Sequence, residues 1–478
     1  MKILRKILIG LVVIVLLLGV TGWWLLRGVP AQYSVAEVTG TDPKLAEPDP
    51  QTIPTVGIAR PVGWAEGAAP EAAEGLQVNR FAEGIEHPRT VYTLPNGDVL
   101  VSLSNAPERI LGGGNWLTNF VAAYLFREAG ADVPSPNQVV LLRDGDGDGV
   151  AETRSVLRSG LASPSGLAYG DGKLYIANHD AVLAFDYELG ATKLEGEPKK
   201  LMDLPPAGNH WMRNLLLSPD GKKLYVAVGS ASNIAEGGIA AEENRAMIHE
   251  IDLPTGTSRP FGFGLRNPNG LAWSPWTDEL WTTVNERDQL GSDLVPDYLT
   301  NVPIGTQYGW PWIYWGDKVD ERVEAPMPQG IIDYIRTPEY ALGPHVAALG
   351  LTFTGAGDRM GAKFGQGAFV ARHGSWNRKP PSGYDVVFVA FDARGNPQGK
   401  PVPVLTGFLN GDGTTKGRPT WVAWDKTGAL LVSDDTGNII WRVVAPGAEP
   451  NPAPVRHRTP PMAPRKELMG DPTRPRGG

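Results

Sequence analysis

His210 is an available general base. It stands in "GNHWMRNLLLSPDGKKLYVAVGS", Gly208 to Ser230, just ahead of an apolar run, a Ser-Pro-Asp-Gly turn and a second apolar run. An imidazole titrates near neutral pH and can take a proton from a hydroxyl. A histidine beside a strand is also an ordinary hydrogen-bonding side chain, and the residue alone does not separate the two readings. Further along, Arg266, Arg378, Lys416 and Arg418 would give a ring of positive charge suited to a ligand with several carboxylates or phosphates. The stretch "NERDQLGSD", Asn285 to Asp293, offers amide, carboxylate and backbone oxygens of the kind that bind hard cations such as calcium.

A second acidic stretch, "RDGDGDGVAE", Arg143 to Glu152, imitates a calcium loop. Counted from Asp144, its twelfth position is Ser155, where an EF-hand needs a bidentate acid. A Gly- and Asp-rich hairpin between "NQVVLLR" and "TRSVLRSG" is the better reading, with an accessory calcium at Asp144–Asp148 as the alternative.

These residues need elements to bring them together, and one pattern recurs. An apolar strand enters a Gly- or Asp-centred turn and an alternating apolar strand leaves it: "RTVYTLPNGDVLVSLSN", "PSGLAYGDGKLYIANHD", "RNLLLSPDGKKLYVAVGS", "PNGLAWSPWTDELWTTVNE", "LGLTFTGAGDRMGAKFGQGAFVARHGS" and "RPTWVAWDKTGALLVSDD". The 59 Gly, 43 Pro and 15 Trp among 478 residues agree with an all-β chain. Six such copies predict a six-bladed β-propeller over residues 76–445. Each blade lends its innermost strand to a central channel, so strand ends distant in sequence converge at one mouth. Asn209 and His210, Arg266 and Asn267, Asn285 to Asp288, Arg372 to Arg378, and Lys416 with Arg418 all fall at such ends.

The ends of the chain read differently. Lys2, Arg5 and Lys6 precede an apolar run from Ile7 to Leu26, closed by Trp23, Trp24 and Arg27. At about 1.5 Å per residue this run spans the roughly 30 Å core of a bilayer. Residues 1–29 are therefore expected to form a transmembrane anchor, with a cleaved signal peptide as the competing reading. The basic flank predicts an N-inside orientation and an exported, periplasmic propeller. Residues 30–75, rich in Pro, Ala, Glu and Gly without sustained period, read as a spacer, and 446–478 as a Pro-rich disordered tail.

Several classes find no support. Without cysteine there are no disulfides, thiolate metal sites or cysteine nucleophiles. A net charge of −8 argues against nucleic-acid binding. No HExxH or zinc spacing occurs, and glycine runs such as "LGGGNW" lack the context of a nucleotide fingerprint.

Together, "GNHWMRNL", "FGFGLRNPNGLAW", "VNERDQLGSDLVPDY", "YGWPWIYWGD", "HGSWNR" and "KGRPTWVAWDKTG" resemble the glucose/sorbosone dehydrogenase family, especially its sorbosone-dehydrogenase-like branch, over roughly Gln77 to Val444. The resemblance implies a six-bladed propeller that holds pyrroloquinoline quinone (PQQ) and calcium and oxidises a sugar or sugar-derived alcohol or aldehyde. His210 matches the family's base and Arg266 the arginine against the quinone oxygens. Asn267 and Asn285 match cofactor contacts, the carbonyls of Glu286 and Arg287 the backbone calcium ligands, and Lys416 and Arg418 the partners of the PQQ carboxylates. Asp293 and Tyr308 are weaker matches near the substrate and calcium. The sequence departs from glucose-oxidising members in two places. Glu286-Arg287 replaces Gly-Pro, and "RHGSWNR" replaces a lysine contact, a role that falls to Arg378 or else Arg372. Glucose is therefore not implied, and a respiratory quinone or cytochrome is the expected acceptor for a membrane-anchored member.

Two rivals are carried alongside. A calcium-dependent propeller hydrolase of lactonase type predicts carboxylates at the mouth, which Arg266, Lys416 and Arg418 oppose. A non-catalytic sugar- or protein-binding propeller needs no base at His210.

Overall fold

A computed structural model of the chain describes residues 2–107, 116–355 and 357–448. Six antiparallel sheets carry the fold: five contain four strands, and the fifth blade contains five. The six sequence copies are the first two strands of the six blades: Pro88–Thr93 with Val99–Leu103, Gly166–Gly170 with Lys173–Ala177, Leu215–Leu217 with Lys223–Val228, Pro268–Trp273 with Leu280–Val284, Ala348–Phe353 with Gly367–Arg372, and Pro419–Trp424 with Leu430–Asp434. First strands of neighbouring blades touch in a closed ring, with blade 6 against blade 1. The last blade is closed by the strand Gln77–Glu83, which pairs with Ile439–Val444. The chain is a six-bladed β-propeller.

The apolar alternation explains why the blades stack. Along Val99–Leu103, Val99, Val101 and Leu103 pack towards blade 6 while Leu100 packs towards blade 2. A strand alternates its side chains between faces, and a blade is buried on both, so both sets are apolar. Each wedge between consecutive blades holds one such cluster. Complete burial of each Val, Leu, Ile or Phe contributes roughly 1.5–3 kcal/mol. The turns follow their sequence: Ser218 Oγ donates to Asp220 at 2.7 Å, and Gly221 takes φ 71°, a conformation that suits glycine.

The termini require corrections. Lys2–Leu26 forms a 25-residue helix, several of whose side chains lie outside the described residues. Among the described residues no helix is long and apolar enough to cross a membrane, so the spanning expectation gains no support. The expected spacer is instead a strap bound to the propeller: Glu71–Ala72 adds a strand to blade 5, Gly40 bridges Ala341, and Val38, Thr55 and Ala59 are fully buried. Its Pro and Gly content marks an irregular path whose backbone is hydrogen-bonded by the blades, which composition alone cannot distinguish from a free linker. The tail from Pro446 lies outside the described residues beyond 448. The Asp-rich stretch forms the expected hairpin between Gln138–Arg143 and Thr153–Arg158, with the carboxylates of Asp144, Asp146, Asp148 and Glu152 converging.

Candidate active site

Blade geometry concentrates polar residues at one end of the channel. The residues directly after the second strands are Ser104, Asn178, Gly229, Asn285, His373 and Asp435; those directly before four of the first strands are Ser165, Asn214, Asn267 and Arg418. Equivalent positions in six blades meet around one axis, so these short segments form the mouth.

One wall of the mouth comes from blades 3 and 4. His210 Nδ1 lies 2.9 Å from the carbonyl oxygen of Ser230, which can only accept, so Nδ1 carries the proton and Nε2 keeps its lone pair. Burial, then the charge of Arg266, hold the imidazole pKa down to about 3, leaving a neutral base. Arg266 is itself buried. Its Nη1 donates to the Glu286 carbonyl at 2.6 Å, and its Nη2 to Asn233 Oδ1 at 2.8 Å and Asp288 Oδ2 at 3.1 Å. The other Asp288 oxygen is 3.2 Å from His345 Nδ1. Burial opposes the charge on Asp288, yet Arg266 and His345 hold its carboxyl below the usual range. Asn267 donates to Asn285 Oδ1 at 3.0 Å and Asn285 donates to the Ala348 carbonyl at 2.7 Å, while Asn267 Oδ1 is buried without a partner.

Beside this wall lies a cavity of about 970 Å³, lined by Arg89, His179, Trp211, His373, Arg418 and Asp435 among others. His210 and Arg266 do not line it; Trp211, next to His210, joins the two regions. Arg89 pairs with Asp435, which also meets His373 Nε2 at 2.9 Å. Five of the lining residues each carry one buried side-chain atom without a protein partner: Arg89 Nε, His179 Nδ1, Arg418 Nε, Asp435 Oδ1 and Thr436 Oγ1. The helix Trp116–Glu128 and the residues after it roof the cavity through Ala123, Phe126 and Ala129–Ser135.

Of the sequence candidates, His210, Arg266, Asn267, Asn285 and Glu286 come together on the wall, and Arg418 faces the cavity. The others are placed elsewhere. Lys416 donates to the Gly407 carbonyl at 3.1 Å beneath Trp64 of the strap. Arg378 pairs with Asp293 at 3.2 Å, so neither is free for cofactor or substrate as expected. Arg372 binds Asp385 and the Leu342 carbonyl. The Arg287 side chain is fully buried between Glu286 and Asp320 and bonds the carbonyls of Pro311 and Ile313, which concerns its guanidinium and not the backbone carbonyl expected to bind calcium. Tyr308 is a core residue whose hydroxyl bonds the Asn301 carbonyl. Each of these polar groups found a partner inside the fold, which motif matching cannot register. Sequence reading placed His373 only within the Arg372 to Arg378 segment and did not single out Arg89, Trp211 or Asp435; Arg89, His373 and Asp435 stand in the six copies, and Trp211 does not. His345 lies outside the copies.

Comparison with known proteins bears on this arrangement. An uncharacterised protein of Borreliella burgdorferi is 28% identical over 296 residues, spanning 59% of this chain and 76% of that protein. The aldose sugar dehydrogenase YliI of Escherichia coli is 40% identical over 57 residues, only 12% of this chain and 14% of that protein. A structure of the carbohydrate-active enzyme family AA12 protein of Trichoderma reesei superposes with TM-score 0.64 at 21% identity, covering 79% of this chain and 98% of that one. The pyranose dehydrogenase PQQ domain of Coprinopsis cinerea superposes with TM-score 0.62 at 19% identity, covering 81% and 100%. These superpositions establish the shared propeller. The TrAA12-like family model matches residues 138–303 and 332–445, more than half of the chain, and the protein belongs to that family.

Proposed function

We propose that the protein is a PQQ-dependent dehydrogenase that oxidises a sugar or sugar-derived alcohol or aldehyde. The observation that carries this reading is the pair of guanidinium side chains, Arg89 and Arg418, that line one cavity beside His179 and His373. Guanidinium groups pair with carboxylates through charge-assisted hydrogen bonds, so two of them lining one cavity fit a ligand with several carboxylates. The names of the relatives, a pyranose dehydrogenase PQQ domain and an aldose sugar dehydrogenase, support the same cofactor and substrate class.

PQQ, when bound, supplies the quinone that accepts a hydride from the substrate carbon. The remaining work falls to side chains. Arg89 and Arg418 bind carboxylates, and Trp211 offers a flat apolar face next to the base. Nε2 of His210, whose lone pair is left free by the Nδ1 bond to Ser230, takes the substrate hydroxyl proton. Arg266 supplies fixed positive charge where negative charge develops, held in place by Asn233, Glu286 and Asp288. Calcium fits the wall by donor type. Asn267 Oδ1 is without a protein partner, and the carbonyls of Glu286 and Arg287 would add the backbone oxygens that hard cations take. A calcium form of the Trichoderma reesei protein supports this assignment.

The test is titration of the purified protein with PQQ and calcium, followed by dye reduction against aldoses, sugar aldehydes and polyols. PQQ binding by wild type and by His210→Ala, with turnover only in wild type, is expected; no PQQ binding would refute the reading. The basic flank and apolar N-terminal run further suggest export of the propeller, with a respiratory quinone or cytochrome as acceptor. Cell fractionation and reduction assays with each acceptor check these two points. Recovery of the intact protein in the cytoplasm would end the first, and reduction of neither acceptor the second.

A further inference from the structure

The loop that carries Asp288 is gripped from two sides. On the inner side, Asp288 holds Arg266 and His345, and His345 Nε2 in turn lies 3.0 Å from the Gly291 carbonyl. On the outer side the strap takes hold. Backbone N–H groups of Gln32 and Tyr33 donate to Asp293 Oδ2, and Ser292 Oγ donates to the Val29 carbonyl at 2.6 Å. Asp49 and Gln51 donate from their backbone to the carbonyls of Leu290 and Gln289 at 3.1 and 3.0 Å. Asn377 bridges the same parts, accepting from the Gln289 N–H at 2.7 Å and donating to the Thr55 carbonyl at 2.8 Å.

Asp293 is the centre of this outer grip. It is 5% exposed and receives two strap N–H groups on one oxygen and Arg378, 2% exposed, on the other. Arg378 also reaches the Tyr33 carbonyl at 3.4 Å, so one ion pair ties blade 4, blade 5 and the strap. Removing one partner of a buried pair leaves the other charge without compensation, so the loop must move to relieve it. The loop has only a few residues between Asp293 and Asp288, and movement at one end reaches the other.

We infer that the segment from Val29 to Thr55 is a working part of the active site, and that Asp293 is a positioning residue which, through the strap, holds Asp288 against Arg266 and His345. The inference rests on the proposed function for its cofactor readout. Asp293 touches neither cofactor nor substrate in this assignment; it acts by fixing the carboxylate that orients the arginine.

The experiment compares wild type, Asp293→Ala, Asp293→Asn and Asn377→Ala as full-length proteins labelled with ¹⁵N-histidine. Imidazole nitrogen shifts are recorded without PQQ, and PQQ affinity is measured separately. In Asp293→Ala the His345 signals are expected to move because its bonds to Asp288 and Gly291 change. Those of His249, bonded to the Asn244 carbonyl within blade 3, stay in place and report an intact fold. PQQ affinity is expected to fall roughly 10–100-fold, the usual cost of losing an outer support, with Asp293→Asn intermediate. Unmoved His345 signals together with unchanged PQQ affinity would overturn the inference. If Asp293→Ala does not fold, Asn377→Ala cuts a single link between strap and loop and must shift His345 in the same direction, and its silence overturns the inference equally. Failure of wild type to bind PQQ would defeat the proposed function alone, because the imidazole shifts still decide the role of the strap.

Discussion

Nδ1 of His210 donates its proton to the carbonyl oxygen of Ser230 at 2.9 Å, and this one bond decides which face of the ring is basic. The ring is held from behind by Gly229, where an added Cβ would fall 2.6 Å from His210 Cβ and 2.4 Å from Asn267 Oδ1. Gly229 does not require a left-handed backbone, so Gly229→Ala is expected to fold and to push His210 off its position. A displacement of about 1 Å at the reacting group costs on the order of 100-fold in rate. The expected outcome is a loss of that size in kcat with a protein that still folds, destabilised by about 1–3 kcal/mol from overpacking. Wild-type kcat in Gly229→Ala would show that the placement of His210 is not critical.

The low pKa of His210 has a consequence for stability. The folded ring titrates at about 3, whereas an unfolded histidine titrates at about 6.5. Between these values the unfolded chain binds a proton that the folded site refuses, so lowering the pH from about 6.5 to 3 progressively favours unfolding at this residue. His210→Gln removes that term. Its melting temperature should fall less than that of wild type between neutral pH and pH about 4, and equal falls would contradict the neutral-base assignment.

Asp435 compensates Arg89 in the cavity wall and also meets His373. Asp435→Asn leaves Arg89 nearly buried with its charge unopposed, at a cost of about 3 kcal/mol. An anionic cofactor would replace the missing charge. The variant is therefore expected to melt below wild type without PQQ and to recover most of the difference when PQQ is saturating. A deficit of equal size with and without PQQ would place the cofactor carboxylates away from Arg89.

The legible part of this chain was its repetition. Both strands of each inner hairpin were readable because burial on two faces forces apolar residues into consecutive positions, as at Val99 to Leu103, while Ser218 to Gly221 supplied a turn with its own hydrogen bonds. His210 and Arg266 were readable from the same register. His373 and Asp435 directly follow the second strands of blades 5 and 6, as Asn285 does in blade 4, and were open to the same reading. Lys416, Arg378 and Tyr308 show the opposite limit. Each matches a motif, yet the Gly407 carbonyl, Asp293 and the Asn301 carbonyl capture them first. Only the pairing of Arg378 with Asp293 is distant in sequence; the other two are made by loop carbonyls a few residues away, and no strand period announces any of the three.

Trp64 shows how that strap is fastened at blade 6. Its indole stands edge-on to Phe408 and Trp441 at 5.3 and 5.2 Å, and its Nε1 donates to Asp434 Oδ2 at 2.7 Å. The other Asp434 oxygen accepts the backbone N–H of Arg418 at 2.7 Å, so the carboxylate links the strap to the segment carrying the cavity arginine. Trp64→Phe keeps an apolar ring but loses the donor and part of the ring volume, for about 1–2 kcal/mol. Trp64→Ala loses the packing as well and should cost about 3 kcal/mol. Urea unfolding of both variants measures the two terms separately. If the Phe variant were as unstable as the Ala variant, the bond to Asp434 rather than the ring packing would be what secures the strap.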